Sequence, residues 1–326
     1  MKRFQRGCLV TMLLGAVMSW IPLDAQSQSF PSRPIKLVVA YGPGGGNDIL
    51  ARLLAQALSP HLGQPVVVDN RPGASGNIGS EIVAKSAPDG YTLLMATNGL
   101  TINPSLYKTI GIDVAKDLTG VAKVATAPII LVTHPSAPFR TVDELIAYAK
   151  QNPGKLNFGS PGIGTPQHLA TELFMSMTGT RMVHVPYKVG AQATSELIAG
   201  QVDLMFAALI SSLPHVKAGR LRAIAVGDNR RVPSVKELPT IDEAGVRGYE
   251  VGVWYAILAP ANTPTEIVAT INREVAKVLA MPEIVERMRA QGFESAISTP
   301  DEMNATIRKD LDKWRAVVKS AGIVPE

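Results

Sequence analysis

Two glycine-rich loops contain the residues of this chain whose types and spacing could bind a ligand. The first loop, Tyr41–Asp48, has three consecutive glycines, and the second loop, Ser160–His168, contains Gly162 and Gly164. Bare glycine backbone at the start of a helix lets several N–H groups converge on an anion at the positive end of that helix. Each charge-assisted hydrogen bond to a carboxylate contributes roughly 1.5–3 kcal/mol. The loops predict capture of a small anion by main-chain amides; the alternative is that each is only a tight turn between a strand and a helix.

Each loop follows an apolar strand and opens a helix. Residues 35–40 and 156–159 are predicted strands, and residues 49–58 and 166–178 are predicted helices. Strands and helices alternate along the rest of the chain, which favours open α/β sheets of parallel strands covered on both faces. Ligands bind such sheets beyond the carboxyl ends of the strands. We therefore expect the two loops to share one cleft with the strand ends at 97–99, 187–192 and 207–208.

The length of 326 residues is too great for one ordinary core and predicts two domains. We place domain 1 at 28–126 plus 250–326 and domain 2 at 127–249. No flexible linker separates them, so the chain is expected to cross twice, near 126 and at 245–252, and to form a hinge there. Strands are predicted at 127–133 and 253–259. Thr-Pro-x-Glu capping boxes at 263–266 and 299–302 are expected to open two long C-terminal helices.

The N-terminus is predicted to be a signal peptide over residues 1–27. Lys2, Arg3 and Arg6 precede an apolar run over residues 8–23, which is typical of a cleaved secretory signal. An uncleaved anchor is the alternative. Cys8, the single cysteine, lies inside this segment. The mature chain is therefore expected to lie outside the cytoplasm and to have no thiol for a disulfide, a zinc site or a nucleophile.

Composition argues against several classes of function. The net charge is +5, and no basic run alternates with aromatic residues, so nucleic acid is not predicted as a partner. The five histidines lack the spacing of a helical metal pair, and no Gly-x-Ser-x-Gly motif occurs. The first loop resembles a dinucleotide fingerprint but has Asn47 where the third glycine belongs. We predict no metal and no cofactor; a secreted hydrolase that uses the same cleft is the alternative.

Two polar side chains in the loops have more than one interpretation. His168 lies in the first turn of the predicted second helix, where it either donates to a ligand or caps its own loop. Asp48 lies in the first turn of the first helix, where a carboxylate suits the helix dipole and a purely structural role is equally open. His184 ends a strand and is more typical of a core histidine.

Several motifs across the mature chain resemble the Bug family, the periplasmic solute-binding receptors of tripartite tricarboxylate transporters. The matching segments are Ile35–Asp48, Asp69–Gly79, Ala87–Leu94, His184–Lys188 and Pro239–Gly245. The resemblance implies a type II periplasmic binding protein, or Venus flytrap, with two open α/β domains and a cleft. It implies a small organic acid as ligand and transient contact with integral membrane transporter subunits, without enzymatic activity. A receptor that feeds a signalling pathway is an alternative, and we expect a monomer.

The loops and the resemblance together predict a ligand-binding set at the strand ends. In the family, main-chain amides of the two loops and ordered water hold one carboxylate of the ligand. The predicted residues are Tyr41, Pro43, Gly44, Gly45, Gly46, Asn47, Asp48, Thr97, Asn98, Ser160, Gly162, Gly164, Thr165, His168, Tyr187 and Ala207.

Departures from the family pattern bear on the ligand. Many members have aspartate where this chain has Ala207, and an acid there suits the ammonium group of an amino acid. Its loss argues for an acid without a cationic group. Val189 and Gln192 stand where many members have glycine and proline. Aromatic, dicarboxylic and tricarboxylic acids all remain open.

Overall fold

The computed structural model describes residues 30–187 and 190–325, so the predicted signal peptide and Val189 lie outside the described residues. The strands in these ranges are β1 (Ile35–Val39), β2 (Val66–Asn70), β3 (Thr92–Thr97), β4 (Leu118–Ala127), β5 (Ile129–Thr133), β6 (Asn157–Ser160), β7 (Val183–Pro186), β8 (Leu204–Ala208), β9 (Arg222–Val226), β10 (Val253–Pro260) and β11 (Glu294–Ser295). The helices are α1 (Gly46–Leu62), α2 (Asn77–Ala84), α3 (Gly99–Leu106), α4 (Val114–Asp117), α5 (Val142–Gln151), α6 (Pro166–Thr178), α7 (Gly190–Ile198), α8 (Leu209–Lys217), α9 (Thr265–Leu279), α10 (Pro282–Ala290) and α11 (Pro300–Ser320).

These strands form two sheets, and both sheets are mixed rather than parallel. The first sheet has the order β11-β4-β10-β3-β1-β2, in which β10 runs antiparallel to β3 and β4. The second has the order β7-β6-β8-β5-β9, in which β5 runs antiparallel to β8 and β9. The expectation of parallel sheets was wrong for these strands, because an apolar strand that is buried on both faces has the same sequence pattern in either direction.

Helices cover both faces of each sheet. On one face of the first sheet Leu37 packs in a cluster with Leu54 of α1 and Ile271 of α9, while Leu94 packs on the other face with Met303 of α11. In the second sheet, Phe158 belongs to a cluster that includes residues of α5 and α6. This burial on both faces explains the continuous apolar strands. None of the helices in the described ranges is both long and apolar enough to span a membrane.

The chain passes between the sheets at two adjacent points. Pro128 separates β4 from β5, so the single strand predicted at 127–133 is the end of one strand and the whole of another. The return passes through Val251, whose N–H donates to Gly227 O at 2.8 Å, while Gly227 N–H donates to Ile129 O at 2.8 Å. These hydrogen bonds tie the two crossovers together. β10 is the return strand that the sequence predicted.

The two long C-terminal helices that the sequence predicted are present as α9 and α11, and the shorter α10 lies between them. The capping box at Thr299 is present, but the one predicted at Thr263 is not. Thr263 Oγ1 donates to Pro260 O at 2.7 Å instead, and α9 begins two residues later. Helix α11 packs on the first sheet through Met303 and on the second through Trp314. It therefore joins the two halves, although the predicted division assigns all of 250–326 to domain 1.

Candidate functional site

The first loop leaves the carboxyl end of β1 and is shaped by the Asp48 side chain. The buried carboxylate accepts hydrogen bonds from Gly44 N–H at 2.9 Å, Arg52 Nε at 3.0 Å and Asn70 Nδ2 at 2.9 Å. The hydrogen bond from Arg52 is the main reason that the pKa of Asp48 is lowered to about 2, with Gly44 and Asn70 contributing. Both carboxylate oxygens are therefore engaged, by the loop, by α1 and by β2. The side chain holds the loop in shape, and the N–H groups at the start of α1 are left to meet an anion.

Three N–H groups at the start of α1 have no acceptor inside the helix. The first intrahelical bond runs from Ile49 N–H to Gly45 O at 3.0 Å, which leaves the N–H groups of Gly46, Asn47 and Asp48 free, as at any helix start. Gly42 through Gly46, with Pro43 among them, are exposed. Asn47 is buried, and its Oδ1 has no hydrogen-bond partner among the described residues. This loop therefore places N–H groups without helical acceptors at the positive end of a helix of 17 residues.

Tyrosine rings lie under the first loop. The Tyr41 ring packs against Gly99, where an added Cβ would lie 2.6 Å from its hydroxyl, and the hydroxyl is 3.5 Å from Thr97 Oγ1. Burial raises the pKa of Tyr41, and it raises the pKa of Tyr255 to about 12. The Tyr255 hydroxyl lies close behind Gly46. Both hydroxyls therefore stay protonated at neutral pH.

Asn98 lies toward the crossover instead of the open loops. It is almost fully buried, and its Nδ2 donates to Gly252 O at 3.2 Å. Its Oδ1 lacks a partner in the part of the chain that the structure describes. Ala207 is also buried, among the apolar residues of the second sheet that include Ile130 and Val132. The side chains of Asn98 and Ala207 are therefore buried, although both residues belong to the predicted ligand-binding set.

The second loop leaves the carboxyl end of β6 and is held by hydrogen bonds within itself. Ser160 Oγ accepts from Gly162 N–H at 3.1 Å, and Thr165 Oγ1 donates to Gly162 O at 2.8 Å. Thr165 Oγ1 also accepts from His168 N–H at 3.3 Å, which caps α6. Gly164 has φ +75°, and an added Cβ would lie 2.4 Å from Leu106 Cδ1 of α3. The loop therefore needs glycine there, both for its conformation and for its contact with the first half of the molecule.

His168 caps its own loop, one of the two interpretations open from the sequence. Its Nδ1 accepts from Gly164 N–H at 3.0 Å, and its Nε2 lies 3.4 Å from Glu172 Oε1. His184 is half-buried, and its Nε2 lies 2.6 Å from Ser160 Oγ. Burial first, and the neighbouring His168 second, lower the pKa of His184 to about 4. Both rings thus form hydrogen bonds with residues of the second loop, His168 with Gly164 and His184 with Ser160.

A cavity of about 440 Å³ lies between the two halves and brings part of the predicted set together. Tyr41, Gly164 and Thr165 line it, with Gly99 at the start of α3. Its other lining residues are Ser75, Asn103, Leu106, Tyr107, Ile163, Pro166, Ile323 and Val324. None of the residues lining it carries a charge, so the cavity offers uncharged walls with a few polar side chains, such as Asn103 and Thr165.

Sequence reasoning missed the Ser75 corner of this cavity. Ala74 and Ser75 have φ of 45° and 54°, a left-handed conformation that is uncommon outside glycine. Asn103 Nδ2 holds the corner by donating to Ser75 O at 2.9 Å, and Ser75 Oγ lies 2.7 Å from the Tyr107 hydroxyl. Ser75 lies in one of the motifs that carry the family resemblance, so that motif was the available signal.

A larger cavity of about 680 Å³ lies beside β4 and β11, away from both loops. Charged side chains of both signs line it, among them Lys123, Asp228, Arg230 and Glu250. None of the predicted ligand-binding residues lines this cavity. The volume of a cavity therefore does not by itself identify the ligand-binding site.

The chain is similar to a family of solute receptors. The model of the tripartite tricarboxylate transporter family receptor matches residues 50–323. Protein BugT of Bordetella pertussis is 37% identical over 304 residues, which cover 93% of each chain. The structure of periplasmic binding protein BugD is 34% identical with a TM-score of 0.71, covering 91% of this chain and 100% of that one. That of R. palustris Rpa4515 with adipate is 42% identical with a TM-score of 0.74, over the same shares. The matching family is one of receptors, and BugD is a periplasmic binding protein.

Proposed function

Because the chain belongs to the family of tripartite tricarboxylate transporter receptors, we propose that it captures a small organic carboxylate and delivers it to membrane transporter subunits. The observation that carries this proposal is the cavity shared by the two halves, where Tyr41 faces Gly164 and Thr165. The adipate in the structure of R. palustris Rpa4515 supports an organic acid as the ligand.

In this proposal the carboxylate is held by main-chain N–H groups from both loops. Gly46 and Asn47 supply donors from the first loop, and Gln167, in the first turn of α6, supplies one from the second. The uncharged cavity surrounds the carbon skeleton. Charge-assisted hydrogen bonds of this kind hold an anion without an arginine. The loss of an acid at Ala207 supports a ligand without an ammonium group.

Closure about the crossovers would then enclose the ligand. The proposed domains are 28–126 plus 250–326 and 127–249, and the strands of the two sheets separate close to these limits. Binding favours closure only as far as the closed state holds the ligand more tightly. We propose further that residues 1–27 direct the chain to the periplasm and that the receptor acts as a monomer. N-terminal sequencing of secreted protein and light scattering test these two points.

The ligand class is tested by thermal shift and calorimetry with adipate, malate, citrate and benzoate, and with putrescine as a cationic control. A ligand at a specific site raises the melting temperature by mass action. We expect at least one acid to stabilise the protein and putrescine to have no effect. The proposal fails if the amine stabilises the protein and none of the acids does.

Gly45→Leu tests the role of the first loop. Gly45 has φ −80°, and an added Cβ would meet only Gly42 O at 3.8 Å, so the fold tolerates a side chain there. The leucine would cover the N–H groups at the start of α1. We expect calorimetry to show loss of carboxylate binding with an unchanged melting temperature. Gln151→Leu, which adds the same side chain at an exposed site at the end of α5, should bind normally. Normal binding by Gly45→Leu would remove the first loop from the site.

A further inference from the structure

The cap of helix α11 directs the residues that follow it to the cavity between the two halves. The helix ends at Ser320, and Gly322 has φ +65°, a left-handed conformation that favours glycine. The Gly322 N–H donates to Lys319 O at 3.2 Å, and the Ile323 N–H donates to Val318 O at 3.2 Å. These two bonds form a Schellman cap, which turns the chain back across the end of the helix.

The next two residues, Ile323 and Val324, form a C-terminal pair that lines this cavity of about 440 Å³. Ile323 is half-buried and packs against the core cluster of the second sheet, which includes Val318 and Trp314 of α11. An apolar contact of this kind commonly accompanies a Schellman cap. Val324 is 79% exposed. The pair therefore has one anchored side chain and one at the open mouth of the cavity.

Apolar side chains from three separate segments line the cavity. Leu106 ends α3, Ile163 and Pro166 belong to the second loop and the start of α6, and the C-terminal pair completes the set. Leu106 and Ile323 pack against the same core cluster. Ile163 is 65% exposed, so it leaves apolar surface open to solvent, as Val324 does. Covering such surface with hydrocarbon is favourable, because both are removed from water.

Polar side chains of the same cavity already bond to one another. Ser75 Oγ lies 2.7 Å from the Tyr107 hydroxyl, and Asn103 Nδ2 donates to Ser75 O at 2.9 Å and to Asn77 Oδ1 at 2.7 Å. None of the lining residues carries a charge. Burying a polar group costs free energy unless a hydrogen bond replaces its hydration. Beyond the carboxylate that the loops hold, the cavity is therefore suited to hydrocarbon.

We propose that Ile323 and Val324 are specificity-determining residues, which contact the hydrocarbon skeleton of the bound acid and favour long skeletons over short ones. This inference rests on the proposed function, since it takes the cavity between the halves to hold the ligand. The main-chain N–H groups hold one carboxylate, and the C-terminal pair covers the chain that extends from it. A second carboxylate at the far end stays in water, because Ile163 and Val324 leave the mouth of the cavity open.

Direct contact is tested by NMR on protein with labelled isoleucine methyl groups and adipate as the probe. We expect nuclear Overhauser effects between the adipate methylene protons and the Ile323 δ1 methyl group. The signal is assigned by its loss in Ile323→Ala. Ile146 of α5 is the control, because it packs against the same core cluster and does not line the cavity. Saturation with adipate that gives no effect at Ile323 overturns the proposal.

Specificity is tested by calorimetry with succinate and adipate, two dicarboxylates that differ by two methylene groups. One fully buried methylene group raises affinity about fourfold, so we expect wild type to bind adipate about tenfold more tightly than succinate. Ile323→Ala should lower this ratio to about threefold, because it removes part of the surface that the longer chain covers. Val324→Thr adds a hydroxyl at an exposed site and should lower the ratio about twofold. The control Ile146→Ala should keep the wild-type ratio.

The two proposals fail in different ways. An adipate-to-succinate ratio that both variants of the C-terminal pair leave at the wild-type value overturns their role in specificity, while binding of the acids keeps the receptor function intact. An equal fall of the ratio in Ile146→Ala assigns the effect to lost packing and also overturns it. If Ile323→Ala does not fold, Val324→Thr decides, since its side chain is exposed. Failure of wild type to bind any of the acids counts against the proposed function itself.

Discussion

At the scale of single residues, Asp48 shows how a charged side chain serves a loop of free amides. Its carboxylate accepts three hydrogen bonds and pairs with Arg52, while its own N–H belongs to the open start of α1. An anion held by N–H groups needs those groups fixed in advance, because ordering them on binding would cost conformational entropy. Asp48 therefore acts by fixing the loop. Gly44 can adopt the loop conformation because its φ of +82° lies in the left-handed region that favours glycine.

Asp48→Asn should destabilise the protein in a pH-dependent way. The pKa of Asp48 is lowered to about 2 from 3.8, so its contribution is present above pH 3.8 and is lost as the pH falls toward 2. We expect urea denaturation at neutral pH to show a loss of about 2 kcal/mol in the free energy of unfolding. The loss should shrink below pH 4. Asp312→Asn, at an exposed ion pair, should have little effect at either pH. An equal loss at all pH values would assign the effect to packing.

At the scale of elements, the crossovers have little room for added atoms. An added Cβ at Gly252 would lie 2.4 Å from Asp228 Oδ1, and one at Gly227 would lie 2.6 Å from Val251 O. Burial, and then the nearby Glu250, raise the pKa of Asp228 to about 6. The ionised Asp228 carboxylate therefore lowers the free energy of unfolding of the protein.

Asp228→Asn should stabilise the protein above pH 6. Because the folded pKa exceeds the ordinary value of 3.8, the folded state loses stability as the pH rises from about 4 through 6. The asparagine has no charge to bury. We expect a gain of about 2 kcal/mol near pH 7.5, allowing for the partial exposure of the group, and little difference near pH 4. Urea denaturation of the variant and the wild type at both pH values measures this difference in the free energy of unfolding. A variant that is less stable than wild type at pH 7.5 would contradict the expectation.

At the scale of the whole molecule, two cavities lie in different regions, and only the charged one is lined by residues of the crossovers. The uncharged one is lined by Tyr41 and Gly164, and the charged one by Asp228 and Glu250. Contacts between the halves also occur at the edges: Leu106 meets Gly164, and Ile210 of α8 meets Gly292. A rotation about the crossovers would change these contacts and cavities together.

Ligand-driven closure predicts a smaller radius of gyration in solution. Small-angle X-ray scattering of wild type should show a decrease when a stabilising acid, such as adipate, is added at saturation. Gly45→Leu should show no decrease at the same concentration, because its first loop cannot take the carboxylate. A wild-type radius of gyration unchanged by a ligand that calorimetry shows to be bound would mean that capture does not require domain closure.

The family, the α/β class and the positions of both loops could be predicted from the amino-acid sequence. Glycine runs between an apolar strand and a helix start are local patterns, so Tyr41–Asp48 and the cap at Thr165 could be predicted from neighbouring residues alone. Helix α6 begins and ends where its local signals predict, at Pro166 and Thr178.

Tertiary structure decided what each side chain faces. Strand direction was not predictable, because β10 is buried on both faces and its pattern is the same in either direction. The role of His168 depended on Gly164, whose N–H donates to its Nδ1, and on the stacked ring of His184, 16 positions away in β7. The cavity depended on Ser75 and Leu106, which line it together with Gly164 and Thr165 only when the two halves pack together. Local patterns fix where a chain turns; contacts between distant segments fix which groups are buried, paired or left free to bind.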